Sequence, residues 1–81
     1  MLKIPSLSSK DFVKLLKDIG CEFVRQGSTD HAIYSRIVEG KRYSSPIQMG
    51  KKSLNPVYIK MVLKQLKFTN KEIENIFSKN K

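Results

Sequence analysis

The sequence predicts an α+β two-layer domain: a helix, three antiparallel strands and a helix, with a short extra helix at the C-terminal end. Three observations lead there. Apolar residues recur with helical spacing near both ends, as Phe12, Leu15, Leu16, Ile19 and again as Ile59, Val62, Leu63, Leu66. Between them lie three short runs rich in β-branched and aromatic residues, punctuated by turn chemistry at Gly27–Asp30 and Glu39–Lys41. Strands joined by short loops are neighbours in space, and the economical packing lays both long helices on one face of the resulting meander.

Each element has a local reason. After the lead-in Pro5-Ser6-Leu7, Ser8 is a natural N-cap with Asp11 in the reciprocal position, and Ser9 is the alternative. Lys10, Lys14 and Lys17 occupy the polar side of the first helix, and Gly20 supplies its left-handed stop. Cys21 to Gln26 reads as the first strand. Gly27-Ser28-Thr29-Asp30 reads as a turn, because glycine tolerates unusual backbone angles and Ser and Asp bond their own backbone. His31 to Val38 is the second strand, and Glu39-Gly40-Lys41 the next hairpin turn. Arg42 to Met49 alternates as the third, with Tyr43, Ile47 and Met49 on one face. Pro46 cannot donate to a ladder and places this strand at a sheet edge.

The basic loop Gly50-Lys51-Lys52-Ser53-Leu54 leads to Asn55 as N-cap and Pro56 in the first helical position. This second helix is expected to run to about Lys67, with Lys60, Lys64 and Lys67 sharing one face. Thr69 with Glu72 forms a capping box, and Phe68 with Ile73 has the spacing of a hydrophobic staple. They start a short third helix that buries Ile73, Ile76 and Phe77, and Ser78 to Lys81 is expected to fray.

A chain of 81 residues has room for one domain, residues 1–81, with one modest core. No run is apolar enough to cross a bilayer, and the opening Met1–Pro5 lacks the apolar stretch of a secretory signal, so a cytoplasmic location and no membrane association are expected. A single cysteine, Cys21, allows no internal disulfide and reads as buried filler. One cysteine with one histidine does not make a zinc site of the usual ligand set.

The net charge is +9, and its distribution is one-sided. From Gly40 to Lys71 there is no Asp or Glu, whereas Lys41, Arg42, Lys51, Lys52, Lys60, Lys64, Lys67 and Lys71 all fall there. Such a field attracts polyanions, of which nucleic acid is the commonest; a basic surface kept for solubility is the plainer reading.

The residues that could do chemistry are few. There is no glycine-rich phosphate loop, paired carboxylate site, serine triad or metal-ligand cluster, and no cofactor or metal is expected. RNA cleavage remains accessible to such a chain, because the 2′-hydroxyl is an internal nucleophile that DNA lacks. A histidine can act as general base or acid, and Lys or Arg can hold charge on the phosphate. His31 is the one histidine and stands between turn and strand, with Arg25, Arg36, Lys41 and Arg42 near it in sequence. A lone histidine beside a turn is by itself a weak signal, and an ordinary surface histidine is the competing reading.

The opening Lys3-Ile4-Pro5, the helix ending in Gly20, then Phe23-Val24-Arg25-Gln26 and Gly27-Ser28 followed by His31-Ala32-Ile33-Tyr34, together resemble the HicA family. These are the toxins of HicA–HicB toxin–antitoxin pairs. The later Val62-Leu63-Lys64-Gln65-Leu66 resembles the family's closing helix, so the likeness covers nearly the whole chain. It implies a double-stranded-RNA-binding-domain-like fold, an element order the residues predict independently. It further implies ribosome-independent cleavage of mRNA and inhibition by a cognate HicB antitoxin; with no metal-ligand cluster in the chain, that growth-inhibiting cleavage is expected to proceed without metal. The family's catalytic histidine directly follows a Gly-Ser or Gly-Asp turn. The matching residue is His31, displaced here by the intervening Thr29-Asp30. Asp30 either supports the imidazole or simply forms the turn.

The expected site is therefore His31 as the proton carrier, Gly27, Ser28, Thr29 and Asp30 as its supporting turn, and Arg25, Lys51, Lys52, Lys60 and Lys64 as contacts for RNA. The alternatives are a non-catalytic RNA-binding module of the same fold, and a small interaction protein whose charge serves an acidic partner. One geometric question stays open: His31 shares strand parity with Ile33 and Ile37 and would face the core if those two are buried, unless Ala32, Tyr34 and Val38 face the helices or His31 precedes the regular pleat.

Overall fold

The computed structural model describes residues 4–78. The expected C-terminal fraying concerns residues 79–81, which lie outside the described residues, as do residues 1–3 of the opening segment; Ser78 is still helical. Among the described residues the order is α1 (Ser9–Asp18), β1 (Glu22–Ser28), β2 (His31–Val38), β3 (Lys41–Gln48), α2 (Pro56–Gln65) and α3 (Asn70–Ser78). The strands form one antiparallel sheet in the order β1-β2-β3, so Pro46 lies on an edge strand as its missing N–H requires. This is the α+β arrangement of double-stranded-RNA-binding domains with one helix added.

The caps explain where the helices lie. Ser8, and not Ser9, caps α1: its Oγ accepts the Asp11 N–H at 3.1 Å. Gly20 turns left-handed at φ +97°, and the Cys21 N–H bonds back to the Leu16 carbonyl. Asn55 caps α2 by accepting the Val57 N–H at 2.8 Å, with Pro56 opening the helix. The helix stops at Gln65, two residues short of the expected end. Lys67 takes φ 68°, which returns the Phe68 N–H to the Leu63 carbonyl and directs the Phe68 ring into the core. The Thr69–Glu72 capping box then starts α3, with Thr69 N–H donating to Glu72 at 2.8 Å and Glu72 N–H to Thr69 Oγ1 at 3.1 Å.

The core lies between the helices and one sheet face. Phe12 and Leu16 of α1 and Ile59, Val62 and Leu63 of α2 pack with Ala32, Tyr34 and Ile47 of the sheet, closed off by Phe68 and Ile73. Arg36 reaches from β2 toward the same side: its guanidinium lies 3.7 Å from the Phe68 ring centre and donates to the Leu66 carbonyl at 3.1 Å. It also pairs with Glu72 at 3.5 Å. The Thr69 N–H holds the Glu72 carboxyl below its usual range; burial opposes this, and the Arg36 charge adds to the lowering. Glu72 thus favours the folded state above the ordinary carboxylate pKa, and that contribution fades as pH falls through the lowered value. Cys21 is buried filler as expected; burial pushes its thiol up to about 11 although Arg36 opposes the shift, so it stays protonated at neutral pH.

Ser9 has a different task from its neighbour. Buried at the start of α1, its Oγ donates to the Gln48 carbonyl at 2.7 Å and accepts the Lys51 N–H at 3.0 Å, while its own N–H donates to the Lys51 carbonyl at 2.9 Å. One side chain therefore ties the end of β3 and the basic loop to α1. Ser9→Ala leaves the Gln48 carbonyl and the Lys51 N–H of two part-buried bonds without their side-chain partner and is expected to cost about 1–3 kcal/mol. Denaturant unfolding measures the loss; an unchanged midpoint would show that water replaces the hydroxyl.

Candidate functional site

The site begins with the β1–β2 hairpin. The loop is two residues long, Thr29–Asp30, not four: β1 continues through Gly27 and Ser28, and Ser28 pairs directly with His31. Neither Thr29 nor Asp30 takes positive φ, so the loop lacks the mirror-image geometry that matches strand twist. The pairing instead shifts register between Gln26 and Ser28, at Gly27, and again between Phe23 and Arg25. Such bulges add local twist. A Cβ at Gly27 would sit 2.9 Å from Ile33 Cδ1 and 3.2 Å from its Cγ1, so a side chain there would have to displace the end of Ile33. Gln26 braces the loop from behind, its Nε2 donating to the Ser28 and Thr29 carbonyls at 2.7 and 3.2 Å.

The direction of His31 follows from strand parity. Ala32 and Tyr34 are buried against the helices, whereas Ile33 is half-buried and Ile37 is 60% exposed. His31 therefore lies with Ile33 and Ile37 on the open face of the sheet. It is itself half-buried, and its Nδ1 lies 3.0 Å from Ser28 Oγ. No bond from another described residue engages Nε2. On the other side β3 places Gln48 opposite His31. Arg25 pairs with Ile33, so it shares the open face one step along from Ser28 and His31. Asp30 contributes its carbonyl, which accepts the Met49 N–H at 2.7 Å and ties the hairpin to the chain leaving β3.

The expected basic residues divide into groups. Lys51 and Lys52 follow directly on that junction, at the His31 end of the sheet, and both are exposed. Lys60 and Lys64 stand on the exposed side of α2, with Lys64 Nζ donating to Asn70 Oδ1 at 3.2 Å. Because α2 packs on the covered sheet face, the sheet lies between them and the open face that carries His31. Arg36 points to the helices and is engaged there. Lys41 pairs with Val38, seven residues along β2 from His31 and so about 24 Å away at ~3.4 Å per residue. Arg42, opposite Ile37, donates to Ser35 Oγ at 3.0 Å near that far end.

Three residues of this arrangement escape a reading of the chain. Gln48 could have been found, since a two-residue Glu39–Gly40 loop pairs His31 with it. Gln26 and Ser9 act through folded geometry alone. The constellation is a half-buried imidazole with Nδ1 anchored and Nε2 unbonded by any described residue, an arginine on the same face and two lysines at the same end. It can exchange a proton with a polyanion and neutralise that polyanion's charge. Among the described residues no three His, Cys, Asp or Glu side chains gather as a metal site.

A family model described as the HicA toxin of bacterial toxin–antitoxin systems matches residues 9–68, which contain α1, the whole sheet and α2. No curated protein matches the chain, and no solved structure does.

Proposed function

The chain belongs to the HicA toxin family, and from that premise we propose that it is a metal-independent endoribonuclease that cleaves mRNA and so stops translation and growth. The observation that carries the reading is the placement of His31: half-buried on the open sheet face, with Nδ1 beside Ser28 Oγ and no bond from a described residue at Nε2. In the reaction His31 takes the proton of an RNA 2′-hydroxyl as the 2′-oxygen attacks the adjacent phosphorus. The P–O5′ bond breaks, and the proton returns to the leaving 5′-oxygen. The products are a 2′,3′-cyclic phosphate and a 5′-hydroxyl end. Gly27, Ser28, Thr29 and Asp30 hold the hairpin that aims the imidazole, and no cofactor takes part. A cognate HicB antitoxin is the protein partner that family membership implies. The cytoplasm, where mRNA is found, is the compartment in which this activity serves; no described helix is long and apolar enough to cross a membrane.

Purified protein should cut single-stranded RNA in excess EDTA and leave DNA of the same sequence intact. Cleavage that needs a divalent ion, or that extends to DNA, would sink the reading. Binding without any cleavage would favour the non-catalytic RNA module.

Arg25, Lys51 and Lys52 are the proposed phosphate contacts beside the scissile bond; Lys60 and Lys64 hold more distant phosphates or add to the general field. Charge reversal of Lys51 and Lys52 together should weaken RNA binding about 10-fold or more at 0.1 M salt and reduce the salt slope by about two. The Lys60/Lys64 double reversal should cost less. Titration by fluorescence anisotropy at several salt concentrations measures both, and a larger loss from the α2 pair would move the RNA path to the helix layer.

A further inference from the structure

The Ser28 hydroxyl sits 3.0 Å from His31 Nδ1, on the strand residue paired with the histidine. We propose that Ser28 is a positioning residue that keeps the imidazole aimed through both halves of the reaction, an inference that rests on His31 as the proton carrier. A hydroxyl is both donor and acceptor, so it keeps a bond to Nδ1 whichever partner carries the proton. When Nδ1–H donates to Ser28 Oγ, the Nε2 lone pair is the one left to take the 2′-hydroxyl proton. The ring is then protonated at both nitrogens, and the Nδ1–H to Oγ bond is unchanged. Nε2–H can give its proton to the leaving 5′-oxygen with no rotation of the ring between the two steps. In a chain with one histidine the same ring serves as base and acid, and this constancy is what such a site needs.

The backbone supports the assignment. The bulge at Gly27 brings Ser28 into register with His31, although the residues before it are out of step by one. The Gln26 amide, donating to the Ser28 and Thr29 carbonyls, holds that register. The Ser28 side chain makes no bond to another described residue, so its hydroxyl has no evident task besides His31.

Ser28→Ala and Ser28→Thr separate a positioning role from a structural one. Ser28→Ala should lower kcat about 10- to 100-fold, the scale of a misaimed catalytic group, with KM, RNA affinity and melting temperature close to the parent's. Ser28→Thr keeps the hydroxyl and should restore most of kcat. Nitrogen-15 spectra of the imidazole should show a hydrogen-bonded Nδ1 in the parent and in Ser28→Thr but not in Ser28→Ala. Parental kcat in Ser28→Ala would overturn the proposal, as would equal loss in both variants or identical imidazole spectra. The two readings fail separately: a His31→Ala protein that still cleaves removes the proton carrier itself, whereas an inactive His31→Ala with a fully active Ser28→Ala removes Ser28 alone.

Discussion

Replacing His31 by Ala is expected to reduce RNA cleavage at least about 100-fold, the lower range of what a positioned acid–base group contributes. RNA affinity and stability should change little. His31 lies on the open face and makes its side-chain bond to the exposed Ser28, so its removal opens no cavity in the core and strands no buried partner. The proposed phosphate contacts Arg25, Lys51 and Lys52 remain in place. Cleavage assays with filter binding and thermal melting on the same preparation measure all three quantities. In cells the variant should no longer arrest growth. A variant that cuts RNA at the parental rate would refute His31 as catalyst and return it to the status of a surface histidine.

The largest expected effect on stability comes from the opposite face. Phe12 is fully buried where α1 meets the sheet and α2, and Phe12→Ala should cost about 3–5 kcal/mol. A small domain has about 5–15 kcal/mol in total, so a substantial fraction of the variant should be unfolded on modest warming. The effect reaches the site as well. α1 carries Ser9, which anchors Gln48 and Lys51, so loosening the helix frees the Lys51–Lys52 loop before the hairpin around His31 is lost. Urea unfolding gives the magnitude, and amide exchange at residues 48–52 reports the loop. A loss below about 1 kcal/mol would mean that neighbours collapse into the space, contrary to close packing about this ring.

Much of this was legible before the chain was folded because much of it is local. Ser8, Asn55 and the Thr69–Glu72 pair cap their helices within three residues of sequence, and they do so as expected. Gly20 ends α1 as its spacing predicts. β2 occupies His31–Val38 as expected, and Pro46 lies on an edge strand. The misreadings have the opposite cause. Composition suggests a four-residue turn at Gly27–Asp30, but residues that suit turns also suit bulges, and the choice rests on pairing with β2. α2 ends early because Phe68 must turn into a core that α2 alone does not define.

The amino-acid order by itself determined the element sequence, the helix caps, the basic stretch and the one histidine able to shuttle a proton. It left open which way that histidine faces, because both faces of β2 carry apolar residues: Ala32, Tyr34 and Val38 on one, Ile33 and Ile37 on the other. Side chains alternate with a period of two, so a strand apolar on both faces does not declare its core side. Only the tertiary structure decided it. α1 and α2 bury Ala32 and Tyr34, and the same packing turns His31 outward with Ser28 and Arg25, leaving the α2 lysines beyond the sheet.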